Sequence, residues 1–189
     1  MNPNLFQFIG GNRGEWRVRT LSSITGESLP NISKVSVKAV DDPDFLREKA
    51  TAETGWILKG FASNERYVTK QEREVLRAIQ QPSGRPHATA AAMISIRKTE
   101  SWWGMAQDER REIIEEVSHH NAIGMKYLPE ISRKLYHCRD LGEPFDFITW
   151  FEFDPTDEEA FNRLLVELRA TIEWTFVDRE LDIRVEKSG

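Results

Sequence analysis

The sequence has little cysteine, little histidine and no long apolar run. Its single cysteine, Cys138, excludes an internal disulfide and any Cys-rich zinc site. No apolar run approaches the roughly 20 residues that a bilayer-spanning helix needs. The start, Met1 to Phe6, lacks the basic and apolar regions of a secretory signal. We therefore expect a cytoplasmic protein that does not interact with membranes.

An excess of positive charge is also missing. The chain has 26 basic and 31 acidic residues, for a net charge of −5. Proteins that bind DNA or RNA nonspecifically are usually basic, so no nucleic-acid partner is expected. Hydrophobic residues make up 39% of the chain and charged residues 30%, which is typical of a folded domain. Six tryptophans and ten phenylalanines could fill a core or line a pocket for a large flat ligand.

Alternating and continuous apolar segments predict a strand-rich chain. A loop at Gln81–Pro86 separates an N-terminal half, residues 1–84, from a C-terminal half, residues 85–189, and the two halves form one structural unit. The strands are expected at 5–9, 16–20, 34–38, 56–61, 91–97, 145–153 and 177–185.

Helical periodicity and capping signals predict three helices among these strands. The first begins at Thr69, whose spacing to Glu72 fits a capping box, and the second covers 107–119. The third follows a capping box of Thr156 and Glu159. The second helix should bury Ile113, Ile114 and Val117, and the third should bury Phe161, Leu164, Leu165 and Leu168. This mixture predicts an α+β fold, which we interpret as two ferredoxin-like halves forming a β-barrel with helices outside.

Histidine offers the clearest candidate for metal chemistry. His119 and His120 are adjacent, and neighbours on a helix point about 100° apart, so the pair does not suit one metal ion. There is no HExxH motif to support zinc. A haem iron requires only one axial histidine, because the porphyrin supplies four ligands. The alternative is that both histidines cap or decorate a helix end.

Several separated blocks, taken in order, resemble the chlorite dismutase family, and most closely its short, dimeric branch. These blocks are Arg97-Lys98, Trp102-Trp103, His119-His120, Tyr127-Leu128-Pro129, Arg133, Leu135-Tyr136-His137 and 145–152. The resemblance is densest between residues 91 and 186. It implies a homodimer that binds haem b.

The resemblance also implies roles for individual residues. His120 would be the proximal iron ligand, Glu173 the carboxylate that binds its other nitrogen, and Arg133 the cation on the distal side. Glu173 would make the imidazole a stronger donor to iron. The remaining matches are Trp102 and Trp103 beside the haem, Lys98 and Tyr67 at the propionates, Gln80 positioning Arg133, and Leu128, Thr149 and Phe151 lining the distal pocket.

Each of these residues also has an ordinary structural explanation. Arg133 could be a surface arginine on a helix, the two tryptophans could be core residues, and Glu173 and Lys98 could be solvated. Cys138 is interpreted as a buried thiol and not as a haem ligand.

The reaction implied by the resemblance is the conversion of chlorite to chloride and dioxygen through a ferryl and hypochlorite intermediate held by Arg133. Coproporphyrin-haem decarboxylases are an alternative, although their distal residue is not arginine. Dye-decolourising haem peroxidases are a second alternative, but their GxxDG motif is absent. A non-enzymatic haem-binding or sensor dimer is the third.

Overall fold

The structure is a computed structural model that describes residues 4–40, 49–51, 53–62, 74 and 81–188. Eight strands are present within these ranges: β1 (Leu5–Gly11), β2 (Trp16–Thr25), β3 (Lys34–Val40), β4 (Thr54–Ala62), β5 (Ala90–Lys98), β6 (Ser132–His137), β7 (Phe147–Phe153) and β8 (Val177–Lys187). The described helices are α1 (Glu100–Gly104), α2 (Gln107–Arg111), α3 (His120–Met125) and α4 (Glu158–Arg169). A π-helical segment, Glu112–Val117, and 3₁₀ segments at Arg139–Leu141, Pro155–Asp157 and Ile172–Phe176 complete the described helical elements.

The eight strands form one closed antiparallel barrel in the order β1-β3-β2-β8-β5-β7-β6-β4. Strands β1–β4 come from the N-terminal half of the chain and β5–β8 from the C-terminal half. The halves join along the β2–β8 and β4–β6 pairs. The predicted α+β barrel with helices outside is therefore confirmed. Among the described residues, no helix combines the length and apolarity that a membrane span requires.

The barrel interior is a packed aromatic and aliphatic core. Trp16 and Trp150 meet edge to face with their ring centroids 5.3 Å apart, and Phe8 meets Tyr136 in the same way at 4.9 Å. Cys138 lies fully buried in this core, where burial raises the pKa of its thiol. Side chains fill the barrel, so a large flat ligand has to bind elsewhere.

Helix α4 covers the outer face of β5 and β7. Its four predicted core residues are buried there: Phe161, Leu164, Leu165 and Leu168. The predicted capping box before this helix is wrong, because Thr156 donates its own N–H and hydroxyl to the Asp154 carboxylate, at 2.9 and 2.8 Å. Asp154 caps a short 3₁₀ turn, and the α-helix begins only at Glu158.

The predicted helix at 107–119 is a composite of α2 and the π-helical segment. The Ser118 N–H donates to the Ile113 carbonyl at 3.0 Å, which is the i→i+5 pattern of a π-turn. The wider turn rotates the later side chains, so that Ile114 is buried as predicted but Val117 is 49% exposed. The inward orientation predicted for Val117 is therefore wrong, and Ile113 is only half-buried.

Strand β6 was not predicted from the sequence. Its segment, SRKLYH, places two cations side by side and lacks a clean alternation of apolar residues. Antiparallel pairing with β7 over six residues, from Ser132↔Glu152 to His137↔Phe147, establishes it as a strand. Arg133 therefore lies on a strand of the barrel and not on a surface helix.

Candidate functional site

The candidate site lies on the outer face of β5, β6 and β7, close to α3. Tyr136, Ile148 and Trp150 point into the barrel core. Because successive side chains on a strand alternate between faces, Arg133, Thr149 and Phe151 point outwards. Phe151 belongs to the outer apolar cluster beneath α4.

A histidine–carboxylate pair is the main polar feature of the site. His120 Nδ1 lies 2.7 Å from Glu173 Oε2. An ionised carboxylate only accepts hydrogen bonds, so Nδ1 carries the proton and donates it. The other ring nitrogen, Nε2, then presents a lone pair and makes no hydrogen bond with any residue in the described part of the chain. The imidazole is 25% exposed, which leaves this nitrogen accessible to a ligand.

Glu173 is held ionised although it is only 4% exposed. Burial raises the pKa of its carboxyl, but the positive charge of Lys98 and the hydrogen bonds from Lys98 and His120 act against burial and hold that pKa below its usual range. The carboxylate is therefore a permanent acceptor that fixes the tautomer of His120 and increases its basicity.

Lys98 is the second partner of this carboxylate. Its Nζ donates to Glu173 Oε1 at 2.8 Å and lies 4.5 Å from the ring centroid of Trp102. Burial lowers the pKa of Lys98, and the negative charge of Glu173 opposes that shift. The resemblance predicts a propionate contact for Lys98, but the structure commits its ammonium to the buried ion pair behind His120.

Local structure explains why these three side chains meet. The hydroxyl of Ser118, at the end of the π-helical segment, accepts the Glu173 backbone N–H at 3.0 Å. His119 follows with φ 53°, in the left-handed region, which ends one helical segment and allows α3 to begin at His120. This break directs His119 to solvent and His120 towards Glu173. The two adjacent histidines therefore point in different directions, as expected for a pair that does not bind one metal ion.

The two tryptophans have different environments. Thr99 caps α1 by accepting the Trp102 N–H at 3.3 Å, and Trp102 is 1% exposed against Lys98. Trp103 donates its indole N–H to Asp146 Oδ2 at 3.0 Å, and its ring stacks on Phe147. Trp102 is thus core, while Trp103 is half-buried on the outer face.

Arg133 lies opposite Phe151 in the β6–β7 register. Burial lowers the pKa of its guanidinium, and the negative charge of Glu115 acts against that shift. Because the intrinsic pKa of arginine is so high, the group stays cationic. The structure therefore places one permanent cation on the apolar outer face of the sheet.

The other predicted distal residues lie on β7 and in the turn before β6, or outside the described residues. Thr149 lies on β7 opposite Leu135, two residues from Phe151. Leu128 lies in the turn that joins α3 to β6, where its N–H donates to the Met125 carbonyl at 3.4 Å. Tyr67 and Gln80 lie outside the described residues, as does the helix predicted from Thr69 apart from Glu74, which is helical.

Residues 81–188 and the described N-terminal segments contain no group of three or more His, Cys, Asp or Glu side chains that could hold a metal ion. A single imidazole with a fixed tautomer is, however, sufficient for a macrocycle that supplies its own equatorial ligands. The donor set therefore fits a haem with His120 Nε2 as the axial ligand.

Sequence reasoning overlooked two residues that support the site. Ser118 immediately precedes the histidine pair, and its role depends on contact with Glu173, 55 residues away. Asp146 belongs to one of the blocks that carry the resemblance, and it accepts both the Lys98 backbone N–H, at 2.7 Å, and the Trp103 indole. The signal that the sequence offered for Asp146 was a carboxylate within an otherwise mostly apolar block.

Comparisons with known proteins agree with this geometry. The chlorite dismutase family model matches residues 45–187. A dimeric chlorite dismutase from Nitrobacter winogradskyi is 46% identical, with a TM-score of 0.87 over 97% of this chain and 99% of that chain. A mutant chlorite dismutase from Candidatus Nitrospira defluvii shares the fold, with 18% identity and a TM-score of 0.69 over 100% of this chain and 93% of that chain.

A curated chlorite dismutase from Ideonella dechloratans is 36% identical over 78 residues, which is 41% of this chain but only a quarter (25%) of that relative's length. The family model, by contrast, covers well over half of this chain, and the Nitrobacter structure matches almost all of it. The chain therefore belongs to the chlorite dismutase family.

Proposed function

We propose that the protein is a haem b-dependent chlorite dismutase that converts chlorite to chloride and dioxygen. The observation that carries the proposal is the hydrogen bond between His120 and Glu173, which leaves one imidazole nitrogen available in front of a permanently ionised carboxylate. Family membership and the cationic Arg133 support the same assignment.

His120 would hold the haem iron through Nε2, with Glu173 and Lys98 behind it. When bound, the haem supplies a redox-active iron that can accept and return an oxygen atom. Glu173 keeps the Nδ1 proton in place and makes the imidazole a stronger donor. Lys98 neutralises the buried carboxylate, and the shared hydrogen bonds restrict rotation of both side chains.

Arg133 would bind the oxychlorine anion. The overall reaction, ClO₂⁻ → Cl⁻ + O₂, is balanced without external electrons, so the protein needs no reductase partner. A planar guanidinium donates several hydrogen bonds at once and suits a small oxyanion. Arg133 would orient chlorite and would hold any hypochlorite fragment in the pocket through its charge-assisted hydrogen bonds.

Apolar walls would limit escape of that fragment. Phe151 is 5% exposed and packs against Phe161, with a ring-centroid distance of 5.0 Å. Together with Leu128 and Thr149, it would restrict water near Arg133. Excluding water strengthens the charge-assisted hydrogen bonds of the guanidinium and protects a reactive intermediate.

We also propose that the protein acts in the cytoplasm as a homodimer. The relative from Nitrobacter winogradskyi, with which it shares nearly its full length, is described as dimeric. Sedimentation of the haem-loaded protein would test the assembly, since a monomer at micromolar concentration would contradict it.

An oxygen electrode tests the activity directly. We expect haem-loaded protein to release one dioxygen per chlorite, and Arg133→Ala to retain haem while turning over at least tenfold more slowly and leaking more hypochlorite. Arg163→Ala, which changes an exposed arginine on α4, is the matched control and should behave as wild type. Haem-loaded wild type that releases no oxygen would contradict the proposal and favour a haem-binding or sensor role. Carbon dioxide release from iron coproporphyrin and peroxide would instead favour the decarboxylase.

The adjacent histidines provide a second test. We expect His120→Ala to weaken haem binding and shift the Soret band, because the axial nitrogen is lost. His119→Ala is the control, since His119 is exposed. A normal spectrum for His120→Ala would remove His120 from the iron.

A further inference from the structure

Gly124 lies one helical turn after His120 and faces Arg133. A Cβ built on Gly124 would lie 3.1 Å from Arg133 Nη1 and 3.7 Å from Cζ. Gly124 is buried in α3, whereas Arg133 reaches it from β6. The guanidinium therefore rests against the helix at a position where any side chain would crowd it.

The backbone of α3 does not itself require a glycine here. Gly124 is helical and is not among the described glycines with positive φ, which are Gly14, Gly26, Gly84 and Gly142. Alanine has a higher helix propensity than glycine, so the glycine is unfavourable for α3 alone. The remaining explanation within the described residues is space, because the atoms near the missing Cβ belong to Arg133.

The position of Arg133 is thus defined from two directions. Its Cα is fixed by pairing with Phe151 in the sheet, and its terminal group lies where a side chain at Gly124 would crowd it. The carboxylate of Glu115, on the π-helical segment, attracts the same group. A methyl group at residue 124 would change only the second of these constraints.

We propose that Gly124 is a positioning residue for Arg133, in that its missing side chain sets where the guanidinium lies over the anion site. The expected effect on anion binding rests on the proposed function. The contact between residue 124 and Arg133 does not. Gly124→Ala would push the guanidinium away from α3 by a few tenths of an ångström, because the end of an arginine side chain moves more easily than a helix backbone.

Nuclear magnetic resonance of the cofactor-free protein tests the contact. We expect Gly124→Ala to shift the Nε–H signal of Arg133, which is assigned by its loss in Arg133→Ala. Gly104→Ala is the matched control, because it adds a methyl group to α1 where no described atom beyond its own helix backbone and chain neighbours lies within 4 Å. Unchanged Arg133 signals in Gly124→Ala would overturn the inference.

Fluoride binding to the haem-loaded protein tests the consequence. Fluoride is a small anion that accepts hydrogen bonds, and its binding is followed in the visible spectrum. We expect Gly124→Ala to lower fluoride affinity by roughly threefold to thirtyfold, since a displaced charge-assisted donor loses part of its strength. Gly104→Ala should bind fluoride as wild type does.

A double-mutant cycle separates this mechanism from a general disturbance of the helix. In the Arg133→Ala background, Gly124→Ala should have no further effect on fluoride affinity. A further loss of fluoride affinity in that background would overturn the inference. A double variant that fails to fold would also overturn it, because Arg133→Ala has already removed the atoms that the added methyl group would meet. Wild type that releases no oxygen from chlorite would reject the proposed function, whereas the Arg133 signals would still decide the role of Gly124.

Discussion

Glu173 is the residue on which the candidate site depends most. One carboxylate oxygen binds His120 at 2.7 Å, the other binds Lys98 at 2.8 Å, and the backbone N–H donates to Ser118. The side chains of Lys98 and Glu173 are 2% and 5% exposed, so neither charge has water as an alternative partner. The two charges are therefore interdependent, and removal of one leaves the other buried and unpaired.

We predict that Glu173→Gln changes both the iron potential and the stability. An amide can accept a hydrogen bond at its oxygen but not at its NH₂ group, so it serves either His120 or Lys98 and not both. A less basic imidazole should make the iron potential more positive, as measured by spectroelectrochemistry. The unpaired ammonium should lower the unfolding free energy of the cofactor-free protein by about 3–5 kcal/mol in urea titrations.

Glu167→Gln is the control for that experiment. Glu167 also binds a lysine and a hydroxyl, Lys126 and Tyr127, but on an exposed surface. Exposed pairs contribute little to stability, so this variant should stay close to wild type in both measurements. An unmoved iron potential in Glu173→Gln would mean that the carboxylate does not control the imidazole.

At the scale of elements, α4 shows how much a periodic pattern can determine. Its apolar residues recur at spacings of three and four, and all four that were predicted to be buried lie against the outer face of the barrel. The same face carries the candidate site, so the packing of α4 also maintains the position of Phe151.

We predict that Leu165→Ala lowers the unfolding free energy by about 2–5 kcal/mol, because it leaves a cavity beneath α4. The neighbouring Val166→Ala is the control, since Val166 is 67% exposed and its change should stay within about 0.5 kcal/mol. Chemical denaturation measures both. Equal effects of the two variants would mean that α4 does not pack as described.

Other elements could not be predicted because tertiary contacts determine them. Strand β6 has no apolar alternation, and it exists as a strand because β7 supplies its hydrogen bonds along six residue pairs. The π-helical segment differs from an α-helix by one hydrogen-bond step, which no residue spacing in EIIEEV specifies. That step decides the exposure of Val117, whereas the left-handed backbone of His119 directs His120 towards Glu173.

In the candidate site, likewise, some residues could be identified from the sequence, whereas their contacts depend on the fold. The resemblance identified His120 and Glu173, and the structure brings them into contact. It also suggested a propionate role for Lys98, whereas the buried ion pair depends on residues 75 positions apart in the chain. Pairings over such distances are set by barrel topology, which the strand pattern alone does not fix.

For the whole molecule, the barrel closes through two short strand pairings, β2–β3 and β4–β6, and the second of these joins the two halves of the chain. The described register contains only the pairs Phe61↔His137 and Ala62↔Tyr136. Gly60 lies beside this seam, and a Cβ there would meet Tyr136 Cβ at 2.7 Å and Cys138 Sγ at 3.0 Å. The closeness of the two strands thus depends on the absence of a side chain.

We predict that Gly60→Ala lowers the unfolding free energy by about 1–3 kcal/mol, because it forces the two strands apart. Amide hydrogen exchange should increase most along β4 and β6. Gly104→Ala is the control, because the described part of the chain places no atom within 4 Å of the added methyl group apart from the surrounding helix backbone and chain neighbours. Exchange that rises evenly through all strands would contradict a local opening of the seam.

Closure of the sheet has a consequence for how copies of the chain can meet. Each of the eight described strands has a hydrogen-bonded neighbour on both sides, so none of them is an edge strand along its whole length. Growth by strand addition, the route to swapped or fibrous aggregates, is disfavoured while the ring is intact. We therefore expect two copies to associate through side chains on the outside, and such a contact can evolve without disturbing the hydrogen-bonded framework beneath it.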